Sequence, residues 1–599
     1  MDFEKYKKDI ICIGLLVIIS SIIIYFFLKA DSKIGAYYIH DVYIYLNNSL
    51  NYAGLGGSSR NHGLPPVIPF ITSIFFSLGF VSDKVILYVS SFYYILTAVV
   101  MYGLLRLKYK ELLSFTGAII LITMPINLAW ATKGMLDIPG LAMSLMALYF
   151  MALGLYKNPK YYYIAFPVLI IGFFTRFTVI LTLPVMLMLI LFTGNPIDYI
   201  NKHLGKLIKG FLAGGVTFSV FMLFYKIYNI PLFFLSQSAS ISATSNPGAS
   251  NAIATSTAAA TTNNVMYYLN NIPIYMGTYK WIPYSFKPGK FVFDKMVWIG
   301  NNPSTISYVY LLIIFIGFII FVWRLCKKQN RDKILKDKSK YFYGKVILFI
   351  VPLIVYFISF THVSLYMSMG LISISILFLF RLLRKSDLKY LAIDFMFIYW
   401  LAVNLTFYSF HIIKTDRYGI CLTPTLAYFV VFGLYLIWGK LQDYLPKKSK
   451  GKKSDNNFKI SPKILNTLKV LVPVILIVST LGFTSYCYMT TTPHTFDNQQ
   501  PDNMLTVYND QKAVTDWIIE TDPDYKNKVI FANNWIDIAF NLRTDVNQTF
   551  GLTDEKNFTS TLLQNNASYY ISEEENPNVD TNYYKIVKEK NGFVVYKRV

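Results

Sequence analysis

Ile10-Ile11-Cys12-Ile13-Gly14-Leu15-Leu16-Val17-Ile18-Ile19-Ser20-Ser21-Ile22-Ile23-Ile24-Tyr25-Phe26-Phe27-Leu28 carries no charge and follows Lys5, Lys7 and Lys8. A helix needs about 20 apolar residues to cross the hydrocarbon core of a bilayer, so this run spans. It lacks a small-residue cleavage site and reads as an uncleaved first helix rather than a signal peptide. Next comes Tyr38-Ile39-His40-Asp41-Val42-Tyr43-Ile44-Tyr45, continuing to Arg60-Asn61-His62-Gly63-Leu64-Pro65-Pro66. Asp41 is an acid beside a membrane segment, where desolvation is costly and an ionisable side chain is a functional candidate by default. The bland alternative is a solvated loop acid.

Similar apolar runs recur along the 599 residues, which are 54% hydrophobic and only 15% charged. The fold class is therefore a polytopic α-helical membrane protein. A formal charge of +23 would suggest nucleic acid in a soluble protein. Here the basic residues fall mostly in short loops, so topology explains them and no nucleic acid is expected. Cys12, Cys326, Cys421 and Cys487 form no CxxC pair, which argues against a disulfide framework or a cysteine metal site.

Thirteen transmembrane helices are expected, near 10–28, 84–105, 112–130, 138–156, 160–174, 177–194, 207–229, 305–325, 345–360, 364–382, 390–409, 419–438 and 464–486. The apolar piece 67–80 is short and follows Pro65-Pro66, so it is read as a helix at, or dipping into, the outer interface. Charge supports leaving it out. With a cytoplasmic N-terminus, the inside segments hold 33 Lys and Arg, the outside membrane loops 13, and the C-terminal tail 10. Counting 67–80 as a span would reverse every later loop and put the basic runs outside.

Residues 1–487 then form the membrane domain, with long outer loops near 29–83 and 230–304, and 488–599 an extracytoplasmic domain. The second loop opens with the low-complexity tract 236–264, which reads as mobile. It continues through Tyr267, Tyr268, Tyr275, Tyr279, Trp281 and Tyr284, read as an interfacial belt or a lid over an amphipathic substrate. The tail holds 10 basic against 16 acidic residues, and its pattern is that of a small α/β fold. A helix is expected over 511–519, strands over 528–532 and 567–571, and a hairpin around Lys590-Asn591-Gly592. Asn547, Asn557 and Asn566 are Asn-x-Ser/Thr acceptors that fit an outward-facing domain.

This topology gathers Asp41, His62, Asp137, Arg176, His411, Lys414, Asp416, Arg417 and Tyr418 at the outer ends of helices. Two acids and several cations at an apolar mouth suit group transfer from a polyprenyl-phosphate sugar. Fixed cations would stabilise the charge that grows on the departing phosphate, and Arg matches phosphate oxygens with a permanent charge. A carboxylate would take the acceptor hydroxyl's proton, and a single displacement would invert the anomeric centre. Asp41 and Asp137 are the candidate catalytic acids, and Arg176, Arg417 and Lys414 the candidate phosphate ligands. His62, Tyr418 and His411 are candidate substrate contacts. Structural readings stand beside these: Asp137 before Ile138-Pro139 begins a helix, Arg176 marks a solvated turn, and Arg417 snorkels. No metal ligand set is assigned, and a divalent ion held by His62 with His411 or His362 stays open.

Asp41 in an early outer loop, Pro65-Pro66, Leu136-Asp137-Ile138-Pro139, and Asp416-Arg417-Tyr418 before Leu422-Thr423-Pro424 resemble the GT-C membrane glycosyltransferases. The nearest branch is the protein O-mannosyltransferase and aminoarabinose transferase superfamily. The resemblance implies a polyprenyl- or dolichyl-phosphate sugar donor, used at the outer face on a protein, glycan or lipid acceptor, with Asp41 as base. His62-Gly63-Leu64-Pro65-Pro66 departs from the family's His-Pro-Pro element by an insertion, and Val42 replaces the second acid found in many members. An oligosaccharyltransferase is the competing enzyme, but Asn534-Trp535-Ile536-Asp537 does not match its Trp-Trp-Asp motif. A lipid or solute transporter is the non-enzymatic alternative; no internal repeat supports it.

Overall fold

The computed structural model describes residues 3–32, 36, 40–58, 63–235, 265–278, 302–327, 341–360, 362–384, 390–411, 415–444, 461–495, 504–549 and 557–599. His62, Lys414, Tyr279, Trp281, Tyr284 and the tract 236–264 lie outside them.

The chain opens with the long helix α1 (Phe3–Asp31), then α2 (His40–Tyr52) and α3 (Val67–Ser77). α3 has 11 residues, too short to span at 1.5 Å per residue. Its Phe70, Ile74 and Phe75 are exposed, as suits a helix against lipid. α4 (Lys84–Arg106) is followed by α5 (Glu111–Thr123) and α6 (Pro125–Ala131), which meet at a 61° bend where Pro125 starts a new first turn. Next come α7 (Asp137–Tyr156), α8 (Tyr162–Thr175), a 3-10 segment (Phe177–Leu181) running into α9 (Thr182–Leu191), and α10 (Pro196–Ile227). α10 begins well before the expected 207, because Asn195-Pro196 supplies a helix start and the basic segment behind it stays helical. Two short outer helices, α11 (Tyr267–Asn270) and α12 (Ile272–Met276), precede α13 (Thr305–Cys326), α14 (Phe342–Ser359), α15 (Leu365–Leu383) and α16 (Leu391–Phe410). A 3-10 segment (Asp416–Leu422) leads into α17 (Thr423–Leu441), and α18 (Pro462–Thr495) is the last membrane helix.

Among the described residues ten helices are long and apolar enough to cross a membrane, eleven if the bent α5–α6 pair is one span. The other two expected spans are the short α8 and the 3-10 segment with α9, which form a pair broken at Arg176. α4, α7, α16 and α17 are the central helices, each with about two thirds or more of its apolar stretch buried. α14, with none buried, and α10, with 11%, are the least buried of the ten, as suits helices against lipid. At one end of the bundle Lys108 reads in sequence as a loop cation. The structure buries it instead, paired with Asp394 and within reach of the Tyr428 hydroxyl. Its ammonium lies 4.8 Å from the Phe432 ring centroid and 5.2 Å from that of Tyr109. The loop is too short to release it, and the carboxylate of α16 makes burial tolerable.

The C-terminal region contains α19 (Met504–Thr521), β1 (Val529–Ala532), α20 (Trp535–Leu542), β2 (Asn547–Gln548), α21 (Phe558–Gln564), β3 (Ala567–Ser572), β4 (Tyr584–Lys590) and β5 (Phe593–Arg598). The strands form one sheet in the order β2-β1-β3-β5-β4, with β1 parallel to β2 and β3 and the β4–β5 hairpin antiparallel. Asn591 (φ 48°) and Gly592 (φ 103°) are both left-handed, as the tight hairpin turn requires. This unit docks on α2. The Phe540 ring meets Tyr43 at 5.6 Å, and Asn47 Nδ2 donates to the Ile536 carbonyl at 3.0 Å. Asp83, just before α4, accepts from the Ala36 amide (3.1 Å), the Tyr43 hydroxyl (3.2 Å) and the Tyr508 hydroxyl (3.3 Å).

Asp537, next to Ile536 in α20, is buried. Burial, then the charges of Glu573 and Asp83, holds its carboxyl well above its ordinary 3.8. The native chain thus keeps a proton that the unfolded chain has lost, and stability falls as pH rises from the ordinary carboxyl range through the raised value. Asp537→Asn, which needs no proton, is expected to raise the melting temperature of the detergent-solubilised protein at pH 7–8. Near pH 4 the two proteins should melt together. A variant less stable than wild type at neutral pH would contradict this.

Candidate active site

Asp41 stands in the first turn of α2, and Tyr45 follows four residues on, on the same helical face. Asp137 opens α7, and Gly140 lies three residues after it. A Cβ on Gly140 would sit 2.9 Å from Arg176 Cδ, so the glycine lets that arginine lie along α7. Arg176 is the extended residue that breaks α8 from the following 3-10 segment, and its Nε donates to Thr178 Oγ1 at 2.9 Å. Arg417 and Tyr418 sit at the start of the 3-10 segment that leads into α17.

These pieces meet in one cavity of about 220 Å³ lined by Asp41, Tyr45, Asp137, Arg176, His411, Arg417 and Tyr418, with Pro65, Thr178 and Tyr408. Two carboxylate–guanidinium pairs stand in it. Arg417 Nη1 donates to Asp41 Oδ2 at 3.0 Å. Arg176 pairs with Asp137, whose side chain is only 3% exposed. Tyr418 lies near both cations, its ring centroid 5.3 Å from Arg417 Cζ and 5.8 Å from Arg176 Cζ. It stacks on Tyr408 at 5.0 Å and takes the His411 ring edge-on at 5.3 Å. Burial, then the charge of Asp41, pushes the Tyr45 phenol far above its ordinary range, so it faces the cavity as a neutral donor.

Six of the eight residues singled out from sequence are thus brought together: Asp41, Asp137, Arg176, His411, Arg417 and Tyr418. His62 and Lys414 fall outside the described residues. Among the described residues no group of three or more His, Cys, Asp or Glu is placed to hold a metal ion. Sequence reasoning missed Tyr45 and Tyr408. Tyr45 was readable from its four-residue spacing to Asp41, whereas nothing local set Tyr408 apart from the other aromatics of α16. It also read the aromatic stretch from Tyr267 to Tyr284 as an interfacial belt or a lid. Of its described residues, Tyr268 and Tyr275 are fully buried, and Tyr267 and Tyr275 donate to the buried carboxylate of Asp416.

The two pairs differ in what their loss should do. Asp137→Asn leaves the Arg176 guanidinium buried without its counter-charge and is expected to destabilise the fold by about 3–5 kcal/mol. Asp41→Asn, at a more open pair, should lower stability by about 1 kcal/mol or less. Denaturant or thermal unfolding of the two purified variants checks the order; equal losses would contradict it.

Residues 63–225 match the dolichyl-phosphate-mannose-protein mannosyltransferase family. No curated protein matches the sequence. Among solved structures, the chain is similar to ArnT from Cupriavidus metallidurans bound to undecaprenyl phosphate. The TM-score is 0.54 and the identity 12%, over 98% of each chain. It is also aligned with the archaeal oligosaccharyltransferase AglB from Archaeoglobus fulgidus, solved with an inhibitory peptide and a dolichol-phosphate. There the TM-score is 0.45 and the identity 11%, over 96% of this chain and 70% of that one. At 12% identity the likeness to ArnT speaks for the fold.

Proposed function

We propose, for a chain that carries the GT-C glycosyltransferase fold on its protein O-mannosyltransferase and aminoarabinose transferase-like branch, that it moves a sugar from a polyprenyl- or dolichyl-phosphate donor to a hydroxyl of a protein, glycan or lipid acceptor. The observation that carries this reading is the Asp41–Arg417 pair, set in a cavity that also holds Arg176. The volume, below the about 300–1,000 Å³ usual for small-molecule sites, favours a single sugar head group over a long glycan.

Asp41 is the base and Arg417 and Arg176 are the phosphate ligands in this scheme. The donor phosphate draws Arg417 from Asp41 and so frees the carboxylate as the leaving group becomes bound. The acceptor oxygen forms its bond to the anomeric carbon as its proton passes to Asp41. The bond from that carbon to the phosphate oxygen breaks, and its electron pair leaves with polyprenyl phosphate, inverting the anomeric centre. The two arginines hold the growing negative charge. Tyr418 and His411 offer a ring surface to the sugar, and Asp137 holds Arg176 in place. The charge bias of the loops supports a cytoplasmic N-terminus, with the cavity and a C-terminal domain over 488–599 on the outer face.

The test is a panel of polyprenyl-phosphate sugars offered to the purified protein with membrane extract, reading released polyprenyl phosphate. Wild type should release it from at least one donor. Asp41→Asn should lower the rate by about 10²–10⁴-fold while still binding undecaprenyl phosphate. Full activity in that variant would remove Asp41 as the base, and no release by wild type from any donor would remove the transferase reading.

A further inference from the structure

Asp416 is not part of the cavity lining, yet it is buried immediately before Arg417. Among the described residues its partners are neutral phenols from a distant stretch: Tyr267 donates to Oδ1 at 2.8 Å and Tyr275 to the same oxygen at 3.3 Å. The amide of Thr415 donates to the Tyr268 hydroxyl at 3.3 Å. The Tyr275 ring also lies flush against the backbone of Gly419, where a Cβ would come within 2.5 Å of it. α11 and α12 therefore grip the 3-10 turn from behind at residues 415, 416 and 419. In a helix of three residues per turn, neighbouring side chains diverge by about 120°. Asp416 can thus face the loop while Arg417 faces the cavity.

A buried carboxylate whose donors, among the described residues, are phenol hydroxyls is an expensive way to fasten a loop, since an apolar contact of equal size needs no desolvation. Its return is direction. Two charge-assisted hydrogen bonds to one oxygen fix the rotation of the turn, which a greasy contact does not.

We infer that Asp416, with Tyr267 and Tyr275, is a positioning group for the donor-phosphate site: it sets the rotation of the turn and so aims the Arg417 guanidinium. This rests on the reading of Arg417 as a phosphate ligand. The outer loop thereby acts on donor affinity although none of its described residues lines the cavity.

The double variant Tyr267→Phe with Tyr275→Phe keeps both rings and removes both hydroxyls, with undecaprenyl phosphate in detergent micelles as the probe. Binding should weaken by about tenfold, and the donor KM should rise with it. The kcat at saturating donor should change little. In an Arg417→Ala background the same double change should alter binding by less than about twofold, because groups that act through one residue are not additive. Asp416→Asn should behave like the double variant and add nothing to it. Equal weakening in both backgrounds, or unaltered binding beside a lowered melting temperature, would overturn the inference and leave a merely structural clamp. Those results would leave the transferase reading intact if wild type still transfers sugar. A wild-type protein that neither binds the probe nor releases it from any donor would sink both.

Discussion

Asp41 and Arg417 are 376 positions apart in the chain and meet at 3.0 Å in a cavity walled by membrane helices. The pair ties two distant segments together: α2 on one side, the turn before α17 on the other. The Asp137–Arg176 pair does the same for the start of α7 and the break after α8. Among the described residues, the two acids and two arginines of the cavity balance one another in formal charge. An anionic head group can then bind well only by taking a carboxylate's place on an arginine. The carboxylate so displaced needs a new partner, and an acceptor hydroxyl supplies one. In the proposed scheme this exchange couples donor entry to the arming of a base.

Such an exchange works only if the backbone stays still while the partners change. Both sides of the open pair are held from behind. α2 is bound to the C-terminal unit through Asn47 and the Tyr43–Phe540 contact, and to the start of α4 through Asp83. Tyr508 also donates to Asp83, so a single buried carboxylate joins the first loop, the bundle and the tail. The turn bearing Arg417 is held by Asp416 and the tyrosines of the outer loop. The tail and that loop, though remote from the chemistry in sequence, form the frame of the cavity.

How much of this was legible follows from the range of each force. Apolar runs and capping residues act within about 20 residues, so the helices and the C-terminal hairpin could be read directly. Even the short α3 was readable, because counting it as a span would have inverted the charge bias of every later loop. The gathering of Asp41, Asp137, Arg176 and Arg417 at one face followed from counting spans. Their pairing did not, since it depends on which helices pack together and on a glycine at position 140 that makes room for Arg176. Asp416 looked like one more outer acid, and Lys108 like one more loop lysine. Their burial is set by partners 141 to 320 positions away, for which no local pattern exists.

The two Asp–Arg pairs look alike in sequence, and exposure separates them. Asp137 and Arg176 are 3% and 13% exposed, whereas Asp41 and Arg417 are 41% and 25% exposed. Separating a buried pair leaves an uncompensated charge on each side, so that pair behaves as one rigid dipole. Separating the open pair is easier, because water or an incoming hydroxyl can solvate what is left behind. A base has to shed its resting partner on every turnover, and a phosphate ligand has to change partners as well. The open pair meets both demands, while the buried pair supplies a second cation whose position does not drift as the first one moves.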